Sequence, residues 1–210
     1  MNSLSKKDVA PICKKIASEH EGWQYTGDKF KYKNLKHSMP MIVPLWYFNI
    51  GAQPVVWLEN KQTIKLYKQL GYTSESSYPI SEKTILRPGA TLETQVYRKL
   101  VYTLSEAEEY IRDFFQRGLE VIQKYYSYTD EKELLENLPL DLEANMGIGY
   151  CLSRVVLHDF DFVRRYINDE IKTVNPKYKE IEKIRELLPV WEKNYQETGS
   201  VFGKKAGKKT

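Results

Sequence analysis

The hydrophobic period changes along this chain, and the change limits the folds open to it. Between Trp23 and Leu58 apolar and polar residues tend to alternate, the two-residue period of a strand whose faces differ. From Ser105 onward apolar residues recur every three or four positions, as on a helix with one buried stripe. A run of strands followed by a run of helices is the pattern of an α+β protein. The expected architecture is a small antiparallel sheet from the N-terminal half, packed against helices mostly from the C-terminal half.

Local signals fill in the elements. A helix from Ser5 to about His20 places Val9, Ile12, Cys13 and Ile16 on one stripe, with Pro11 arguing for a later start and Gly22 stopping it. Gly27-Asp28 between Trp23-Gln24-Tyr25 and Phe30-Lys31-Tyr32-Lys33 predicts a hairpin. Strands over Met39–Phe48 and Val55–Leu58 follow, with Gly51–Pro54 as the turn; Pro40 and Pro44 belong at an edge or a bulge, because proline donates nothing to a ladder. Asn60 caps a helix through Leu70 whose inner face is Ile64, Leu66, Tyr67 and Leu70, and Gly71 ends it. Two further strands are expected over Thr84–Arg87 and Gln95–Thr103. Ser105 and Glu108 read as a capping box for a long helix burying Ala107, Ile111, Phe114, Gly118, Val121 and Tyr125. Helices over Asp130–Asn137, Glu143–Leu157, from Asp159 with Val163, Tyr166 and Ile167 inward, and over Pro176–Tyr195 with Ile181, Ile184, Leu188 and Trp191 inward complete the chain. Pro189 should kink or split the last one.

At 210 residues a chain can bury roughly 70% of its unfolded surface and needs no staple. One domain is expected over 1–198, β-rich over 23–104 and helical over 105–198 around a shared core, with 199–210 as a flexible basic tail. Cys13 and Cys151 are the two cysteines, too few for a disulfide framework or an all-cysteine zinc site. The first residues lack the apolar centre of a signal peptide, and no uncharged run approaches the ~20 residues of a membrane span. These readings place the chain in the cytoplasm. The net charge is +4, and Lys204, Lys205, Lys208 and Lys209 in the tail account for that excess. At most a weak, salt-sensitive contact with nucleic acid through that tail is expected.

No set of residues assembles a recognisable catalytic or metal site. His158-Asp159 is the sharpest pair, the type that holds a divalent ion in metal-dependent phosphohydrolases, but the partners on offer, His37 and Asp161, are badly placed. Its competing role is to end one helix and cap the next. Gly147-Ile148-Gly149 lacks the third glycine and basic residue of a nucleotide loop. The cysteines sit in apolar stripes, as structural thiols do. The carboxylate pairs Glu108-Glu109 and Asp130-Glu131 lie at helix starts, where negative charge is favoured anyway. The expectation is a protein without enzymatic activity, metal or cofactor.

Aromatic content is the unusual figure, 13% with 16 Tyr and 4 Trp. In a strand, Trp46 and Phe48 share one face and Tyr47 takes the other, leaving either a sheet covered on both faces or an exposed aromatic platform near Trp57. Such a platform, flanked by Lys29, Lys31, Lys33 and Lys36, opens a nucleic-acid reading alongside protein binding. Candidate anchors for a protein partner are Tyr47 and Trp57 on the sheet and Tyr125, Tyr126 and Tyr128 at the end of the long helix.

The order of elements, an opening helix, Gly22-Trp23 before Phe30-Lys31-Tyr32-Lys33, the aromatic strand Trp46–Phe48 and the helical stretch Cys151–Val163, resembles small bacterial α+β proteins of the toxin-immunity, contact-dependent-inhibition type. That resemblance implies a non-catalytic inhibitor that binds a toxin domain and carries no shared catalytic residues. The charge balance departs from it, since immunity proteins against basic nucleases are commonly acidic, and this puts a nuclease target in doubt.

Overall fold

The computed structural model describes residues 4–44, 54–71, 77–81, 103–138, 147–171 and 180–203. Among them five strands and seven helices are formed: α1 (Lys6–Ser18), β1 (Trp23–Thr26), β2 (Lys29–Tyr32), β3 (Ser38–Pro44), β4 (Pro54–Asn60), α2 (Lys61–Gln69), β5 (Ser77–Ser81), α3 (Leu104–Tyr125), α4 (Glu131–Glu136), α5 (Gly147–Val156), α6 (Phe160–Ile167) and α7 (Glu180–Thr198). The class is α+β. The fold divides into two compact units, Met1–Asn60 with Ser77–Asn137, and Lys61–Ser76 with Leu138–Thr210. The division does not fall near Ser105, where the sequence pattern changes, and each unit draws on both halves of the chain. Here they are termed the sheet unit and the helical unit.

In the sheet unit the strands lie in the order β1-β2-β3-β4-β5, every neighbour antiparallel. Gly27 and Asp28 both have positive φ, 59° and 58°, the turn whose twist matches a two-residue hairpin, and this sets Trp23 opposite Tyr32. One cross-strand row runs Tyr25–Phe30–Ile42–Val56–Ile80 through all five strands. The helices lie on that face: Phe115 of α3 stands 4.7 Å from Phe30, and α1 packs against β1 and α3 with Cys13 and Tyr25 both buried. Gly118 lets α3 approach β3, because a Cβ there would stand 2.7 Å from Ile42 Cγ2. The burial of α3 is wider than the predicted stripe, since Tyr110, Phe115, Leu119 and Ile122 are buried too.

Three expectations change in this unit. The capping box of α3 is Thr103 with Glu106, two residues ahead of Ser105 and Glu108. Both pairs have the right spacing, but Glu108 instead meets Lys15 and Arg112. β3 is an interior strand, so Pro40 and Pro44 are not at an edge; they are tolerated because pairing with β2 covers only Met41 and Ile42. α1 begins directly after Ser5, whose capping box with Asp8 fixes the start. Pro11 is absorbed because Pro11 and Lys7, whose carbonyl loses its helical donor, are both exposed to water. The strands expected over Thr84–Arg87 and Gln95–Thr103 fall outside the described residues apart from Thr103, whereas β5, with Pro79 on an edge strand, went unpredicted.

The helical unit packs α2, α5, α6 and α7 around Leu66, Leu70, Cys151, Leu152, Val155, Val163, Ile184, Leu188 and Trp191. Side chains of α7 close the free ends of two other helices. Lys183 Nζ donates to the Leu70 carbonyl at 2.9 Å, Arg185 donates to the Ile167 carbonyl at 2.8 Å, and Trp191 Nε1 donates to Gln69 at 2.7 Å. α7 runs through Pro189 without splitting; the proline and Arg185, whose carbonyl loses its donor, are both exposed. Ordered packing extends past the expected domain end at 198, for Val201 is 2% exposed and its carbonyl accepts from Asn194.

Candidate functional site

The helical unit gathers aromatic side chains at the junction of α5 and α6. α5 ends with Asp159 N donating to the Arg154 carbonyl and His158 N to the Val155 carbonyl, a termination that needs a left-handed residue between them. Glycine usually fills that place; here it is His158, at φ 62°. Asp159 Oδ1 then accepts from Phe162 N at 3.2 Å and starts α6. The dipeptide singled out in the sequence is thus spent on ending one helix and capping the next.

The turn brings rings into register. His158 is exposed and stacks on Tyr195 of α7 at 3.8 Å, with 18° between the planes. Phe160 stands 5.8 Å from Tyr195, and Phe162 meets buried Tyr150 edge-on at 5.3 Å. The Arg154 guanidinium lies over Tyr150 at 4.8 Å and over Phe162 at 5.3 Å, donates to the Tyr150 hydroxyl, and sits 3.6 Å from Asp159. Phe160, Phe162 and Tyr195 are half-buried. Desolvation of the ring where it lies on Tyr195 holds the His158 imidazole below its ordinary pKa. Each ring is fixed by another ring or by a charge, and part of His158, Phe160, Phe162 and Tyr195 still faces water.

The predicted anchors are placed differently. Tyr47 lies outside the described residues, as do Trp46 and Phe48. Trp57 is half-buried in the row Gln24–Lys31–Met41–Trp57–Pro79, on the sheet face turned from α3, and its buried Nε1 finds no acceptor among the described residues. Met41 in that row is 1% exposed, so the sheet centre is covered on both faces at this point. Tyr126, the C-cap of α3, is 5% exposed and buried. Tyr125 ends α3, and its side chain is outside what is described. Tyr128 is half-buried with its ring against Trp23 and Tyr32, at 6.2 and 5.0 Å. Of the described anchors, Trp57 and Tyr128 fall on opposite faces of the sheet.

The ring group at the α5–α6 junction was missed as a site. Its signal was the alternation His158-Asp159-Phe160-Asp161-Phe162, which puts several rings around a helix start where one buried stripe cannot take them all. Among the described residues no group of three or more His, Cys, Asp or Glu is placed to hold a metal ion, and no helix is long and apolar enough to cross a membrane. Compared with family models, with characterised proteins and with solved structures, the chain finds no match in any of the three.

Proposed function

We propose that this chain is a non-catalytic protein-binding protein, an immunity-type inhibitor that docks on a bacterial toxin domain through the rings around His158. The observation that carries the reading is His158 itself. A non-glycine residue in the left-handed region costs roughly 1–2 kcal/mol, and such strain is kept where a side chain is wanted for another purpose. What the side chain supplies here is a ring laid on Tyr195 beside Phe160, with Arg154 and Phe162 on the same turn. Fixed aromatic and arginine side chains are the residue types that dominate binding energy at protein interfaces, because they bring large contact area with little freedom left to lose. The toxin as partner comes from the resemblance in element order, and the binding face from the ring geometry.

The test is to find whether the neighbouring gene encodes a large secreted toxin and to co-express the full chain with that neighbour's C-terminal domain. The pair should co-purify and growth should be restored. His158→Gly, which relieves the backbone and loses only the ring, should leave stability within about 1 kcal/mol while weakening the complex at least tenfold. Phe162→Ala should weaken it as well. A pair that does not associate removes the toxin assignment. A complex that forms with unchanged affinity in both variants removes the ring surface.

A further inference from the structure

The outer face of β2 carries three lysines in a line. Lys29 and Lys31 alternate with buried Phe30 and Tyr32, and Lys33 continues the ladder by donating its backbone N–H to the Gly22 carbonyl at 2.8 Å. Side chains two apart on a strand share a face, so all three lysines stand on the face turned from α3. Lys33 is exposed, and Lys29 and Lys31 are half-buried.

The facing strands supply no carboxylate to them. Lys29 lies opposite Thr26, and Lys31 lies between Gln24 and Met41; neither β1 nor β3 contains an acidic residue. Glu59 of β4 is on that face, but opposite Met39 and two strands from β2. Asp28, in the hairpin turn, pairs with Lys6. Elsewhere in the sheet unit Lys15 and Lys132 also meet carboxylates, whereas Lys29, Lys31 and Lys33 enter no ion pair among the described residues. Lys33 Nζ donates to Met39 Sδ at 3.1 Å, a weak acceptor that leaves the charge uncompensated.

We propose that this row is a contact for the phosphate backbone of nucleic acid, held without regard to base sequence. At about 3.4 Å per residue the lysine positions recur every ~7 Å over about 14 Å, a straight line of one sign that suits a chain of regularly spaced anions. Like charges side by side on a sheet repel, and phosphates laid along them relieve that repulsion while releasing counterions. Lysine, a compact point charge on a flexible stem, meets phosphate without demanding one geometry. An anionic membrane suits the face less well, because peripheral membrane binding draws on buried apolar area as well as charge. Here the exposed residues beside the lysines are Gln24 and Thr26, and Met41 and Val43 on the same face are buried.

The experiment measures affinity of the full chain for oligothymidine of about 20 nucleotides, longer than a usual single-domain site, by fluorescence anisotropy as salt is varied. Each phosphate contact on a single strand contributes about −0.7 to the log–log slope. The triple change Lys29→Gln, Lys31→Gln, Lys33→Gln should therefore make the slope shallower by about 2, and Lys31→Gln alone by about 0.7. Changing Lys7 and Lys14 to Gln, both exposed on α1 at the other side of the sheet, should leave the slope as it was. An unstructured oligonucleotide of mixed sequence should bind equally well. Circular dichroism of each variant should match the parent, and the single change reads the contact even where the triple change disturbs the strand. Absence of binding by the full chain, an unchanged slope in the triple and single variants, or an equal loss in the Lys7 and Lys14 variant would overturn the proposal. So would binding to phosphatidylserine-rich vesicles with none to the oligonucleotide, which would assign the lysines to an anionic membrane instead.

Discussion

The two units use aromatic residues in opposite ways. The sheet unit puts its rings inside: Trp23, Tyr25, Phe30, Tyr32, Phe114 and Phe115 are all buried, and Phe115 alone meets His20, Trp23 and Phe30 within 5.3 Å. The helical unit has a mainly aliphatic interior of Leu, Ile and Val around Trp191 and Tyr166, and leaves Phe160, Phe162 and Tyr195 half-exposed. Packing geometry accounts for the contrast. Residues opposite one another on paired strands have Cβ atoms only ~5 Å apart, so ring meets ring across the sheet. Helices pack ridge into groove at 8–10 Å, where branched aliphatic side chains interdigitate. The aromatic count therefore goes mostly into core in the sheet unit, and is divided between core and a half-buried group in the helical unit.

The largest expected effect tests that contrast directly. Phe30→Ala should destabilise the chain by about 3–5 kcal/mol, the usual range for emptying a buried aromatic site, while Phe162→Ala should cost no more than about 1.5 kcal/mol, the worth of a ring contact. Urea midpoints of the two variants provide the comparison. Equal losses would make Phe162 a core residue and end the distinction between the units.

A smaller effect is expected at Gly118. Adding one methyl group against Ile42 in Gly118→Ala should cost about 1–3 kcal/mol by overpacking. Ile42→Val in the same chain should recover part of the loss, since the two sites share one contact and cannot act independently. If the double variant is simply the sum of the singles, the close approach of α3 to β3 is not set by these side chains.

A further effect is read at alkaline pH, where each unit holds a buried acid. Burial raises the Cys13 thiol from 9.0 to about 12 and the Tyr166 phenol from 10.0 to about 12. In both cases the folded state keeps a proton that the unfolded state has released. Stability is therefore full below the unfolded values and falls as pH rises toward 12. Cys13→Ala should flatten the decline from about pH 9 upward and Tyr166→Phe from about pH 10, in melts taken across that range. A decline of unchanged slope in either variant would mean that the group titrates freely in the folded chain.

Much of the fold was legible where a local signal has one geometric outcome. Gly27-Asp28 admits a tight hairpin and forms one, Asp130 and Asp159 cap the helices they precede, and Val163, Tyr166 and Ile167 are the buried residues of α6. Signals with two equivalent outcomes were not decided locally. Thr103 and Ser105 each stand three residues before a glutamate, and contacts with Lys15 and Arg112 settle which glutamate is free to cap. Ser77–Ser81 has neither alternation nor a run of β-branched residues, and it is a strand because β4 offers it an edge. The site was less legible than the fold. Tyr126 and Tyr128 are two positions apart and end up in the core and at its margin. The rings beside His158 depend on a left-handed residue that no periodicity reports.

The interleaving of the two units along the chain has a consequence for synthesis. Neither is a continuous stretch, for Lys61–Ser76 leaves the sheet unit after β4 and belongs with residues that follow Leu138. Gln69, which accepts from the Trp191 indole, precedes it by 122 residues. At about 5–20 residues per second the ribosome takes roughly 6–24 s to cover that distance. During that interval α2 is present with Leu66 and Leu70 uncovered, while the strands and α3 that flank it in sequence can already pair. A nascent chain of this protein thus carries an amphipathic helix whose apolar face waits for partners made more than a hundred residues later.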